Sequence, residues 1–204
     1  MTGPSLGPRL GPLPKRDLPE GTSEAIGAFL VPNPRHPLPR NTPDRPKGYN
    51  ALGTLARNTE LLAAYQAFNG YIQLKTRLSL RQRELVILRL AVVRECEYEW
   101  LQHVIQALDV GLTEAEIEAV RTGRGDFSPL EAALLSAVDD LVGQASIGDQ
   151  AWEALRAELD EPTLLDLIFT VGAYDALAMM MRSFGTPVDD DLRQWHAEHR
   201  PGRP

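Results

Sequence analysis

The sequence predicts an all-α fold, a compact bundle of about six to eight helices behind a proline-rich arm. Three observations carry this expectation. No run of useful length alternates apolar and polar residues at strand period. Helix start signals recur from Asn58 to Glu161. Eleven of the 16 prolines lie within residues 1–47, where continuous helix is largely excluded.

The first stretch is read as an arm (1–47), disordered or laid over its own domain or a neighbouring copy. Residues 48–188 are read as one helical domain and 189–204 as a polar tail. A short helix across Ser23 to Leu30 is the one helical expectation in the arm. Phe29, Leu30, Val31, Tyr49 and Leu52 would give it apolar contacts. Asn58 or Thr59 can cap a helix bearing Leu61, Leu62, Tyr65 and Phe68, which Asn69-Gly70 is expected to end. A further helical turn is expected over Tyr71 to Leu78.

Ser79 and Gln82 have capping-box spacing ahead of the apolar run Leu85 to Val93, interrupted only by Arg89. The polar cluster Arg94-Glu95-Cys96-Glu97 predicts a break near Glu95 and a second helix to about Asp109. Thr113 and Glu116 make another capping box. Ser128-Pro129-Leu130-Glu131 combines a cap, a proline at the first helical position and a glutamate at the third. Asp149 is expected to cap a helix with Trp152, Leu155 and Leu159. Glu161-Pro162 opens the longest apolar stretch, Leu164 to Met181, ended by Gly185 and Pro187. Asp166 and Asp175 within it favour a central buried helix over a membrane span. In the tail, His196 and His199 are expected to be solvated, since two ligands make a poor metal site.

Composition narrows the function classes. The 204 residues suit one domain with a sizeable core. A net charge of −7 and a pI of 5.1 argue against nucleic acid or an anionic membrane as partner. The single cysteine, Cys96, excludes an internal disulfide. The first residues lack the apolar segment of a signal peptide, so a cytoplasmic protein is expected.

Cys96, Glu99 and His103 are spaced three and then four residues apart, which places them on one face of the second helix. A thiol, a carboxylate and an imidazole on one wall can carry chemistry. Glu84, one helix earlier, joins them if the two helices form a hairpin. Arg94, Tyr98, Trp100 and Tyr174 are the candidate substrate contacts. Tyr98 and Trp100 also suit plain packing. Arg94 is the nearest cation for an anionic substrate, and Tyr174 with Asp175 is the candidate opposite wall. Cys96, Glu99 and His103 are also three potential metal ligands, but no further Cys/His spacing supports a metal site.

Glu84 with Cys96, Glu99 and His103 at offsets of 12, 15 and 19, set in RELVILRLA, CEYEWLQHV and GLTEAEI, resembles the core of the carboxymuconolactone decarboxylase family, within the alkyl hydroperoxidase D-like superfamily. In that superfamily a glutamate, a Cys-x-x-Cys pair and a histidine at this spacing form a proton relay for a redox dithiol. This sequence departs from it, because Glu99 stands where the second cysteine would be. The resemblance spans roughly residues 58–188. It implies a homo-oligomer, trimer or hexamer, and chemistry without metal or cofactor. It implies a lyase or isomerase acting by proton transfer on a small carboxylated lactone or keto acid, with His103, Glu99, Glu84 and Cys96 in the site. A hydroperoxide reductase using Cys96 and a non-catalytic scaffold of the same family are the two other readings.

Overall fold

The start signals in the sequence lie at helix ends in the computed structural model, which describes residues 7–40, 42 and 45–200. Ten α-helices occupy the described residues: α1 (Thr22–Gly27), α2 (Tyr49–Leu55), α3 (Thr59–Leu74), α4 (Leu80–Val93), α5 (Glu97–Asp109), α6 (Glu114–Thr122), α7 (Pro129–Gln144), α8 (Asp149–Glu158), α9 (Glu161–Phe184) and α10 (Asp190–His199). One 3₁₀ turn, Lys15–Asp17, precedes them, and no strand occurs among the described residues. The all-α expectation holds with more helices than predicted. The additional ones are the short α2 and the C-terminal α10, while α1 answers to the short helix expected across Ser23 to Leu30.

The capping boxes form as the spacing requires. Ser79, Thr113 and Ser128 each accept the N–H three residues on, and Gln82, Glu116 and Glu131 reach back to the cap residue's N–H. Asn58 caps α3 through Leu61 N–H at 3.0 Å. The α8 cap is Gly148, with Asp149 inside the first turn and no side-chain cap bond. Asp149 therefore acts by its charge near the helix N-terminus, which favours an anion there.

One boundary differs in an informative way. Asn69-Gly70 does not end α3, which runs unbroken to Leu74. Gly70 has another task, because a Cβ there would stand 2.2 Å from the carbonyl oxygen of Phe29. The absent side chain lets the N-terminal stretch cross directly over α3. That stretch is tied down elsewhere too. Leu10 N–H bonds to Phe184 O, Leu13 N–H to Gly53 O, and the N–H groups of Arg35 and His36 to Leu74 O.

Helix α4 is the hub, packing against α5, α6, α7 and α9. Leu85, Val86, Ile87, Leu88 and Leu90 are completely buried in sequence order, because neighbours cover nearly its whole circumference. The chain breaks after Val93 where Glu95 takes φ 50°, an unusual conformation for a residue with a side chain. The reversal folds α5 back along α4 as a hairpin.

Helix α9 is buried on one side only. Leu167, Val171, Tyr174 and Ala178 enter the core, whereas Leu165, Ile168, Phe169 and Met179 are exposed. It is the one helix among the described residues long and apolar enough to cross a membrane, with half of that window buried inside the bundle. The C-terminal segment also departs from the expected solvated tail. In α10 Leu192 and His196 are buried, and His196 Nε2 donates to Leu101 O at 2.8 Å. Only His199 stays exposed, stacked on Trp195.

Candidate active site

The α4–α5 hairpin brings Glu84 and His103 together. His103 Nδ1 lies 2.8 Å from Glu84 Oε2, inside the protein. The other Glu84 oxygen accepts from Arg83 Nε at 2.9 Å and Nη2 at 2.8 Å, while Arg83 Nη1 donates to Gln73 O at 2.6 Å. Glu84 has no exposed surface, and Arg83 is 4% exposed. Burial alone would raise the Glu84 pKa. His103 and Arg83 overcome it and hold the carboxyl below its ordinary range. With Glu84 ionised, Nδ1 of His103 carries a proton toward it, and Nε2 is the atom left for chemistry.

Glu99 is the opposite case. It is 2% exposed, and neither carboxyl oxygen has a hydrogen-bond partner. Burial pushes its pKa well above the usual carboxylate range, with repulsion from Asp175 adding to the shift and the Cys96 thiol opposing it. Its environment therefore favours the neutral acid form, which has a proton to donate.

Glu99 and His103 lie on the wall of one cavity of ≈ 540 Å³. Tyr174 of α9 faces them, its ring edge-on to the imidazole at 4.9 Å between centroids. The Tyr174 hydroxyl receives Gln73 Nε2 and donates to Asn69 Oδ1 at 3.4 Å. Tyr98 also borders the cavity, and its hydroxyl bonds to Asp189 and accepts Ala51 N–H. It thereby joins α5 to the starts of α2 and α10.

The remaining predicted residues lie elsewhere. Arg94 pairs with Asp175, with Nη2 at 2.9 Å from Oδ2, so neither forms part of the cavity lining. Trp100 lies beneath the Arg121 guanidinium at 4.1 Å and packs in the core. Cys96 is the residue before α5, in extended backbone, and its sulfur sits 3.9 Å from Met181 Sδ. It does not line the cavity. Burial, followed by the Glu99 charge, pushes its thiol up to about 12. The helix N-terminus does not offset that desolvation. Among the described residues no group of three or more His, Cys, Asp or Glu side chains is arranged to hold a metal.

Sequence reasoning missed part of the wall. Tyr65, Gln66 and Asn69 of α3 line the cavity, as do Phe29, Arg40, Arg45 and Lys47 from the stretch before α2. Arg83, which clamps Glu84, was also missed. An arginine beside a predicted buried glutamate was the available signal.

The sequence model described as Carboxymuconolactone decarboxylase family matches residues 59–140, the run from α3 into α7 that contains Glu84, Glu99 and His103. No curated protein matches the chain significantly. Among solved structures, a putative antioxidant defence protein AhpD of unknown function from Agrobacterium tumefaciens is 25% identical, with a TM-score of 0.61, covering 66% of this chain and 96% of its own. An uncharacterized peroxidase-related protein from Silicibacter sp. TM1040 shares the fold at 18% identity and a TM-score of 0.70, over 94% of this chain and 97% of its own. The debrominase Bmp8, in complex with 2,3,4-tribromopyrrole, shares it at 13% identity and a TM-score of 0.69, over 93% and 96% of the two chains. Residues 59–140 thus match the carboxymuconolactone decarboxylase family model, in a chain whose fold is similar to those of AhpD-like solved structures.

Proposed function

We propose that the protein is a cofactor-independent enzyme of the carboxy-lyase or isomerase type, moving protons on a small carboxylated keto acid or lactone. One observation carries this reading. A buried acid with no hydrogen-bond partner, Glu99, and an imidazole held by the Glu84 carboxylate share one cavity wall. Positioned acids and bases of this kind contribute roughly 10²–10⁴-fold to rate.

For a β-keto acid, Glu99 gives its proton to the substrate carbonyl oxygen as the C–CO₂ bonding pair moves into the carbon framework. CO₂ leaves and an enol remains. The enol O–H proton returns to Glu99 while His103 protonates the carbon from Nε2. His103 regains that proton from solvent beside the Glu84 carboxylate, so one proton is consumed per CO₂ released. Isomerisation uses the same groups, with His103 first removing a carbon-bound proton and Glu99 protonating the oxygen.

The test is turnover of a panel of β-keto acids and carboxylated lactones in D₂O, followed by mass spectrometry. CO₂ release with one deuterium on the carbon that bore the carboxyl is expected. Cys96→Ser should keep the activity and His103→Gln should lose at least ~100-fold. Activity retained in His103→Gln, or lost in Cys96→Ser, overturns the reading. The exposed Leu165, Ile168, Phe169 and Met179 of α9 support self-association within the same proposal. Sedimentation velocity of the wild type and of Phe169→Glu tests that part.

A further inference from the structure

The cavity wall divides by charge in a way that proton transfer does not require. Apart from His103 and Glu99, its charged side chains among the described residues are Arg40, Arg45 and Lys47. All three come from the stretch before α2, outside the family core. Among the described residues, the carboxylates that engage them lie off the wall. Asp109 receives Arg45, with Nη1 at 3.1 Å, and Arg40 at 3.8 Å. Lys47 Nζ donates to Thr42 O at 2.9 Å, Asp191 accepts the Lys47 backbone N–H at 3.4 Å, and Asp189 is engaged by Asn50 and Tyr98. None of these acids lines the cavity. Lys47 is exposed and the Arg40 side chain is 72% exposed, so these two cations mark the rim. Glu99 and His103 are buried and mark the floor. Phe29, Leu30, Leu52, Leu55 and Leu177 supply apolar wall.

Negative charge is unwelcome at the floor. Burial disfavours the charged form of Glu99 there, and Asp175 repels it. A carboxylate bound beside it is destabilised and leaves readily as neutral CO₂. An anionic group that persists through the reaction is far better placed at the rim, where Arg and Lys donate charge-assisted hydrogen bonds.

We infer that the ligand is an organic anion with an apolar body, whose permanent anionic group is held at the rim by Arg40 and Lys47 and whose other end reaches Glu99 and His103. The anion-holding half rests on the wall alone. The chemistry at the inner end rests on the proton-transfer reading above.

Calorimetric titration with octanoate, octane-1-sulfonate and 1-octanol tests it without turnover. Both anions should bind the wild type and lose about five-fold or more in affinity in the Arg40→Gln/Lys47→Gln double variant. Binding of 1-octanol should be the same in both proteins. Arg16→Gln/Arg124→Gln makes the same change in net charge away from the cavity and should leave all three affinities unaltered. The inference is overturned if octanoate does not bind, if it binds the rim variant as tightly as the wild type, or if the control variant weakens it equally. Octanoate binding without turnover of any panel substrate would sink proton transfer alone. Turnover without rim-dependent binding would sink only the anion site.

Discussion

At the scale of single residues, the site rests on two glutamates of opposite character. Glu84 is surrounded by donors that favour its charge, while Glu99 is buried with neither oxygen hydrogen-bonded, which favours its neutral form. Their roles follow from environment, since the side chains are identical. Removing Arg83 leaves the Glu84 charge buried with one partner, which costs about 3–5 kcal/mol for a broken buried pair. Arg83→Met should therefore lower unfolding stability by that order in urea titrations, and an unchanged midpoint would show that Glu84 does not depend on it. Cys96 invites a kinetic check. A thiol raised to about 12 and 3% exposed presents almost no thiolate at pH 8. Native protein should react with iodoacetamide far more slowly than protein in denaturant. Comparable rates would return Cys96 to the list of chemical groups. The Glu84–His103 contact was half legible, because helical spacing set the partners but not the α4–α5 hairpin. Arg83 was not legible, since helix arginines mostly extend into water and only tertiary contacts bury this one.

Whole elements were most legible where a local chemical signal ends them. Ser79, Thr113 and Ser128 each cap a helix as their spacing demands, and Gly185 ends α9 with φ 67°. The failures share a cause in long-range contact. Asn69-Gly70 has the composition of a helix stop, yet Gly70 serves a crossing by residue 29, forty-one positions earlier. Nothing within a window around Gly70 encodes that crossing. Residues 190–199 read as a polar tail because too few apolar positions mark them. Leu192 and His196 nonetheless suffice to seat α10 on α5. Gly70→Ala tests the crossing. The new methyl must displace backbone, since its nearest neighbours, at 2.2 and 2.9 Å, are the Phe29 oxygen and carbonyl carbon. Overpacking of this kind costs roughly 1–3 kcal/mol. Cleavage near residues 29–40 by a dilute protease should accelerate in the variant, with α-helical circular dichroism preserved. Unaltered cleavage would mean that the stretch does not lie against α3 in solution.

Across the whole molecule, the price of a poised acid should appear as a pH dependence of folding. Glu99 binds a proton in the folded protein at pH values where an unfolded glutamate, with a pKa near 4.5, has released it. The fold thus holds more protons than the unfolded chain, and its stability falls as pH rises above about 4.5. The slope approaches ~1.4 kcal/mol per pH unit and ends once pH passes the raised folded pKa of Glu99. Glu84 acts with the opposite sign, its lowered pKa giving stability that is present above the unfolded value and lost on acidification. His196, neutralised by burial, also favours the fold as pH rises. These opposing groups blur the pH profile of the wild type, but they cancel when it is compared with Glu99→Gln, which keeps the shape and removes the titration. The stability advantage of Glu99→Gln over wild type should therefore grow as pH rises above about 5 in urea unfolding, while turnover declines. A difference that stays constant over that range would mean that Glu99 is ionised in the fold. The cavity would then lack its proton donor, and His103 alone could not supply both protonations that the decarboxylation needs.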